Sequence, residues 1–199
     1  MQQRSEETRA HILKAALKLF SKEGYDATGV AQICQAAGVS KGAFYYHFPS
    51  KHDVFMALLH GWLEALDKQF KVALEGSKDV PDGLLRMAAK ARGVFQDAQG
   101  QLPMFLEFWT QAASDPLVWQ TTIATYRHYQ ALFAGIIRQG ITEGSIVEHD
   151  ADTSSRVVLA MALGLILQSM LDRDGVSWDQ VTQEGMQFLM KGLANKPVK

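Results

Sequence analysis

The chain has 199 residues, 47% hydrophobic and 21% charged, so it can bury a sizeable core and is unlike an intrinsically disordered protein. Its net charge of −1 gives no sign of a nucleic-acid partner by itself, although the distribution of charge matters more than the sum. Its single cysteine, Cys34, excludes an intramolecular disulfide and favours a reducing compartment. No apolar leader begins the sequence, and the longest apolar run, 157–167, is shorter than a bilayer requires, so we predict a cytoplasmic protein without a membrane partner.

Helical periodicity runs along the chain, and no segment shows the sustained two-residue alternation of a strand. The first helix is expected to begin after Ser5 and to end at Gly24. A short second helix should cover 30–37. The third helix is expected to begin after the N-cap Ser40 and to end before Pro49, which cannot continue a helix. Three short helices in the first 50 residues predict a helix-turn-helix plan.

Six further helices are expected after residue 50. A capping box at Ser50 begins a long fourth helix, and breaks at 76–82 and 100–103 separate the fourth, fifth and sixth. The last three helices begin after capping residues: Asp115, Asp150 and Ser177. The sequence therefore predicts an all-α fold of about nine helices.

Charge is unevenly distributed along the sequence. Residues 1–60 hold seven Lys/Arg against five Asp/Glu, giving +2, whereas the remaining residues hold 13 against 16, giving −3. Four of the six histidines also lie in the first segment. This mild asymmetry permits DNA binding by the first segment.

The third predicted helix carries an unusual group of aromatic residues. Phe44 and Phe48 are four residues apart and can anchor the core, which directs Tyr45, Tyr46 and His47 outward. Phenols and an imidazole beside Lys41, Gly42 and Ala43 suit the major groove, where polar tips contact phosphates and small residues allow close approach to bases. Aromatic runs more often belong to a core, but so small a unit cannot cover a helix on every side.

Residues 8–59 resemble the DNA-binding domain of the TetR/AcrR family of transcriptional regulators. The resemblance is carried by Gly24-Tyr25, Ala27-Thr28, Ile33, Ala36-Ala37-Gly38-Val39-Ser40-Lys41-Gly42, Phe44-Tyr45-Tyr46-His47-Phe48 and Ser50-Lys51. It implies a homodimer that places two third helices in successive major grooves of a palindromic operator. By position, the family's DNA contacts fall on Thr28, Ser40, Lys41, Gly42, Ala43, Tyr45, Tyr46, His47 and Lys51.

The resemblance also sets the expected domains and exposes two departures. It implies a DNA-binding domain over 5–51, with its motif at about 29–48, and an effector-binding and dimerisation domain over 52–199. Gly29 stands where the family often has a hydroxyl residue, so one phosphate contact is expected to be missing. Cys34 replaces a usual alanine, which we interpret as a small buried residue and not as a redox sensor.

The predicted eighth helix is apolar on all sides, so it must be covered from both sides. We expect the last two helices of each subunit to form a four-helix arrangement across a two-fold axis, as the family also implies. The alternative is that one subunit's own core covers both sides. The predicted interface residues are Leu163, Leu167, Met186, Leu189, Met190 and Leu193.

Helices five to seven are rich in aromatic residues and methionine, which commonly line apolar ligand pockets. For each residue alone, ordinary core packing is the competing interpretation. The predicted pocket residues are Met87, Phe95, Phe105, Phe108, Trp109, Tyr126, Tyr129 and Phe133. They indicate a small effector that is largely apolar or aromatic.

These patterns predict a ligand-responsive regulator, by the family's usual behaviour a repressor, that needs no cofactor or metal. An enzyme is the first rival, but the sequence has no Gly-rich phosphate loop, paired metal-ligand spacing or nucleophile elbow. The second rival is a helical small-molecule carrier whose DNA binding is lost or secondary. The intact run Tyr45-Tyr46-His47, with Lys41 and Lys51, argues against that loss.

Overall fold

In a computed structural model that describes residues 2–90, 101–172 and 175–194, the chain forms helices separated by short turns. The described residues form nine helices, and their one β-type pairing is an isolated bridge between Ile146 and Ala194. The helices are α1 (Gln2–Glu23), α2 (Val30–Ala37), α3 (Lys41–His47), α4 (Lys51–Glu75), α5 (Val80–Ala89), α6 (Gln101–Ala112), α7 (Pro116–Thr142), α8 (Ala151–Leu171) and α9 (Trp178–Leu193). The predicted all-α class is confirmed.

Capping side chains explain where several helices begin. The Asp115 carboxylate accepts hydrogen bonds from the N–H groups of Leu117 at 2.8 Å and Val118 at 3.4 Å, which starts α7. At α4, Ser50 Oγ accepts from Asp53 N at 3.2 Å and donates to the Asp53 carboxylate at 2.6 Å. These bonds satisfy backbone donors that a helix start leaves without partners. The starts predicted for α4 and α7 are confirmed.

Two predicted starts differ in detail from the structure. α1 already begins at Gln2 and contains Ser5, because the residues before Ser5 are compatible with a helix and nothing there ends one. Ser177 occupies the N-cap position of α9, but its hydroxyl donates to the Asp179 carboxylate at 2.6 Å and makes no cap bond.

The chain divides into two compact units, residues 1–67 with 98–107 and residues 68–97 with 108–199. In the first unit, α1, α2 and α3 pack against one another. Its core contains Ile12, Phe20, Ile33 and Phe44, and Cys34 is also buried there. This bundle is the expected helix-turn-helix head.

In the second unit, α7 packs on α8, α5 packs on α9 and α7, and α8 packs on α9. Its core contains Leu84, Ile137 and Met190. The backbone N–H of Val147 donates to the carbonyl of Leu193 at 2.8 Å, which joins the α7–α8 connection to the end of α9.

The apolar run 157–167 lies inside α8, a helix of 21 residues. An 18-residue window of α8 has a mean hydropathy of 1.6, so by length and composition alone this helix could cross a membrane. The helix is thus longer than the apolar run considered in the sequence, and the length of the run alone does not exclude a membrane-spanning helix. Core and interface helices of soluble proteins meet the same criterion, so a single such helix is weak evidence for a membrane. Only 28% of the window is buried, which leaves much of α8 uncovered within one chain.

Candidate nucleic-acid interface

The turn between α2 and α3 depends on a glycine in the left-handed region. Gly38 has φ +67° and ψ 32°, a conformation that residues with a side chain rarely adopt. Its N–H donates to the carbonyl of Gln35 at 3.3 Å, and Val39 N–H donates to Cys34 O at 3.0 Å. These bonds close the end of α2 and direct the chain into α3.

α3 begins with a side-chain cap and has two chemically different faces. The Ser40 hydroxyl accepts a hydrogen bond from the N–H of Ala43 at 3.1 Å. Phe44, in the middle of the helix, is fully buried, and Phe48 is buried directly after its end. The rings of these two phenylalanines pack at 6.2 Å and fix the orientation of α3 on the head.

The opposite face of α3 presents aromatic and basic side chains to solvent. Tyr46 is 79% exposed and Tyr45 is 53% exposed, while His47 is half-buried with its ring 5.0 Å from that of Tyr46. Lys41 and Gly42 are exposed on the first turn. The competing interpretation, that this aromatic run belongs to a core, does not describe the two phenols.

Gly42 is not required by the fold of the head. A Cβ atom built there would have the Ser40 hydroxyl as its nearest neighbour, at an ordinary 3.8 Å. Glycine within a helix costs about 0.5–1 kcal/mol relative to alanine. Contacts within the head therefore do not explain a glycine at this exposed position. Its presence favours a bound molecule whose atoms approach the helix backbone closely.

Two of the residues predicted to contact DNA are engaged inside the head. Thr28 is 1% exposed, and its hydroxyl donates to the carbonyl of Gly24 at 2.8 Å, so this side chain does not face solvent. The ammonium group of Lys51 donates to the carbonyl of Tyr25 at 2.7 Å. The burial of Thr28 and the long-range bond of Lys51 depend on tertiary packing, which the local motif does not specify.

The start of α2 lacks a side-chain cap because its N-cap residue is Gly29. The N–H of Gly29 instead donates to the side-chain carbonyl of Gln32 at 2.6 Å. The amide nitrogen of Gln32 in turn lies 3.4 Å from the carboxylate of Glu23. The hydroxyl contact that the family often makes here has no counterpart in Gly29.

Arg9 is a basic residue near α3 that the motif analysis missed. The guanidinium carbon of Arg9, which is exposed on α1, lies 5.1 Å from the centroid of the Phe48 ring. A cation at this distance is attracted to the ring face. Arg9 lies 39 residues before Phe48 in the sequence, so no local pattern could predict this contact.

Comparisons with known proteins agree with this geometry. Residues 12–58 match the family described as bacterial regulatory proteins, tetR family, and residues 84–194, more than half of the chain, match the C-terminal domain of the BetI-type transcriptional repressors. The chain belongs to the TetR family. It is a transcriptional regulator with a helix-turn-helix DNA-binding domain and a C-terminal ligand-binding domain.

Individual relatives show how far the similarity extends. The transcriptional regulator AcrR of Shigella flexneri is 51% identical over 53 residues, about a quarter of each chain. The regulator LmrA of Bacillus subtilis is 29% identical over 82% of this chain and 87% of its own length. A regulator from Saccharomonospora viridis, solved in complex with choline, shares the fold with a TM-score of 0.81 at 24% identity, covering 96% of this chain and all of its own.

The predicted effector residues of this TetR-family chain have different environments. Four of them are buried in the second unit: Met87, Phe108, Tyr129 and Phe133. Phe70 of α4, which the sequence analysis missed, lies 6.1 Å from the ring of Tyr129 and 6.0 Å from that of Phe133. Trp109 is 42% exposed, and the half-buried Tyr126 accepts a hydrogen bond from Arg156 at 3.2 Å. Phe95 and the side chain of Phe105 lie outside the described residues.

The predicted interface residues also divide by burial. Met186 and Met190 are buried within their own chain, because they lie on the side of α9 that faces its core, so they do not form an exposed surface. Leu163, Leu189 and Leu193 are half-buried. Leu167 is exposed, and three apolar side chains that the sequence analysis did not select are exposed on the same two helices: Val157, Leu171 and Phe188.

Proposed function

We propose that this TetR-family protein is a cytoplasmic, ligand-responsive repressor that binds a palindromic operator as a homodimer. The observation that carries the proposal is the orientation of α3, with Phe44 fully buried and Tyr46 79% exposed on the opposite side. A short helix held by its core face and presenting polar aromatic tips is suited to a major groove. The proposed contacts are Ser40, Lys41, Gly42, Ala43, Tyr45, Tyr46 and His47.

The proposed dimer is formed through α8 and α9. Along α8, the residues Val157, Ala160, Gly164, Leu167 and Leu171 follow one another at steps of three and four and are exposed or half-exposed. This spacing is typical of a helix that packs along a partner helix. Phe188 on α9 is 70% exposed. In a dimer with a two-fold axis, this apolar surface of each subunit is covered by the same surface of the other subunit.

Gly164 supports a close helix crossing at the centre of this surface. A Cβ atom at Gly164 would meet no atom of its own chain within 4 Å. The cost of a mid-helix glycine is therefore not offset within the subunit. Gly164 lies between the exposed Val157 and Leu167, where its small size allows the backbone of a partner helix to approach closely.

The proposed effector is small and largely apolar or aromatic, and it binds in the second unit. Its support is the cluster of Phe70, Tyr129 and Phe133, with Tyr126 nearby in sequence as a polar group. The choline complex of the Saccharomonospora viridis regulator favours a second candidate class, a quaternary ammonium compound, because aromatic faces attract such cations. Both classes belong in a ligand screen.

Effector binding acts by shifting the population of subunit conformations. An operator holds two heads about one helical turn apart, roughly 34 Å, so a conformer with another spacing loses contacts in both half-sites. A ligand that binds this conformer more tightly lowers operator affinity. Relief of repression follows without any chemical step.

Selection of genomic fragments by the purified protein, followed by release with candidate ligands, tests the proposal. A palindromic site with steep salt dependence is expected, and an apolar or quaternary ammonium ligand is expected to release it. A reporter fused to the site tests the sign, since relatives include a transcriptional activator, FasR of Mycolicibacterium smegmatis. Equal binding to all sequences would instead favour the alternative function, a helical small-molecule carrier.

A further inference from the structure

Lys51, the first residue of α4, is half-buried against the head, and its ammonium group is held by Tyr25. Its ammonium nitrogen donates to the backbone carbonyl of Tyr25 at 2.7 Å. The same nitrogen lies 4.1 Å from the centroid of the Tyr25 ring. One lysine therefore engages both the backbone and the side chain of a residue 26 positions earlier in the sequence.

Tyr25 is itself part of an aromatic cluster that joins α1 to α4. Its ring lies 5.3 Å from Phe20 and 4.5 Å from Phe55, and those two rings lie 5.8 Å apart in an edge-to-face arrangement. Phe20 and Phe55 are buried. The cluster is thus a rigid base on which the turn between α1 and α2 rests.

The turn held by Lys51 leads directly to the start of α2. The N–H of Thr28 donates to the carbonyl of Tyr25 at 3.2 Å, and α2 begins two residues later, after Gly29. A displacement of Tyr25 would therefore move the first backbone N–H groups of α2, which in a helix-turn-helix head point at phosphates.

The surroundings of Lys51 are consistent with an internal role. Burial lowers the pKa of Lys51, while the nearby carboxylates of Asp26 and Glu107 oppose that shift. Asp26 lies in the turn itself, and Glu107 lies on α6 within the same compact unit.

We propose that Lys51 is a positioning residue of the DNA-binding head, which fixes the α1–α2 turn through Tyr25, and is not a phosphate contact. The inference rests on the proposed DNA binding, and it replaces the assignment of Lys51 as a direct contact that the family motif implies. Lys41, exposed on the first turn of α3, is the matched direct contact.

The salt dependence of operator binding separates the two roles. Each phosphate contact contributes about −0.9 to the slope of log K against log salt concentration. Lys41→Met is expected to make the slope shallower by about one unit per head. Lys51→Met is expected to lower affinity about tenfold at every salt concentration and to leave the slope unchanged, because it removes a charged hydrogen bond and a cation–π contact inside the protein.

A double-mutant cycle adds a readout that general destabilisation would not change. Tyr25→Leu removes the ring that Lys51 covers but keeps the backbone carbonyl, so its effect on operator affinity should overlap in part with that of Lys51→Met, and the two effects should add to less than their sum. Lys51→Arg keeps the charge and a donor and should restore most of the affinity. The proposal would be overturned by two results together. Lys51→Met would make the salt slope as shallow as Lys41→Met does, and the effects of Lys51→Met and Tyr25→Leu on operator affinity would be additive.

Hydrogen exchange of the protein without DNA keeps this inference distinct from the proposed function. Lys51→Met should speed amide exchange in residues 24–30, while Lys41→Met should leave those amides unchanged. If the wild-type protein selects no operator, the proposed function fails, but the exchange result still decides the role of Lys51. Unchanged exchange in Lys51→Met would contradict that role.

Discussion

The carboxylate of Glu143, directly after α7, accepts a hydrogen bond from the backbone N–H of Val80, the first residue of α5, over 3.0 Å. The same oxygen accepts from the hydroxyl of Ser145 at 2.6 Å. The two partners Glu143 and Val80 are 63 residues apart in the sequence. A carboxylate at a helix N-terminus satisfies an orphan donor and interacts favourably with the helix dipole.

Replacing Glu143 by glutamine should therefore weaken the second unit. The hydrogen bonds from Ser145 and Val80 lower the pKa of Glu143 below its ordinary value of 4.5. Its stabilising contribution is thus complete above about pH 4.5 and is lost as the pH falls through the lower folded value. Because the side chain is exposed, we expect Glu143→Gln to cost about 0.5–1 kcal/mol at pH 7.

Denaturant unfolding at pH 7 and at acid pH measures this effect. The difference between Glu143→Gln and wild type should shrink as the pH falls from 4.5 through the lowered pKa of Glu143. Glu148→Gln, at an exposed glutamate in the following loop, is the control and should change stability by less than about 0.5 kcal/mol. A difference that grows in acid would contradict the proposed cap.

Gly42→Ala should separate the stability of the head from its DNA affinity. The added methyl group meets no close atom, so helix propensity should raise stability by about 0.5–1 kcal/mol. On DNA the same methyl group should weaken operator binding if the groove approaches this position closely. Gly38→Ala is the contrasting variant, since its φ of +67° should make alanine cost about 1–2 kcal/mol.

Thermal unfolding and operator titration of the two glycine variants provide the measurement. Gly42→Ala with higher stability and weaker binding fits an external role for this position. Unchanged operator affinity for Gly42→Ala would show that DNA does not approach it closely.

Leu167→Glu should disrupt the proposed dimer. Leu167 is 48% exposed, three residues after Gly164 on the apolar surface of α8, and a charge there would be buried against the second copy without a partner. Sedimentation at micromolar concentration should find a monomer. Val72→Glu is the control, because Val72 is 63% exposed on α4, which is not part of the proposed interface. A Leu167→Glu protein that remains dimeric would place the interface elsewhere.

Local sequence signals predicted the helices well because their causes are local. Asp115 before Pro116 and Ser50 three residues before Asp53 specify their helix starts through bonds within one turn. The alternation of Phe44 and Phe48 with the phenols predicted which side of α3 is buried.

Contacts between distant segments could not be predicted in the same way. Thr28 has the residue type of a phosphate contact, yet the tertiary packing of the turn buries its hydroxyl. The bonds from Lys51 to Tyr25 and from Val80 to Glu143 join segments 26 and 63 residues apart, and no spacing in the sequence signals them. The run 157–167 of α8 is apolar on all sides, so the sequence could not show which side α7 and α9 leave exposed.

The most direct test of the account is operator binding by Tyr46→Ala, measured beside the thermal stability of the same protein. Tyr46 is 79% exposed, so the variant should keep its melting temperature, while the loss of one contact per head should weaken binding to a selected operator at least tenfold. A Tyr46→Ala protein that is folded and binds the operator as tightly as wild type would contradict the assignment of α3 as the DNA-reading helix.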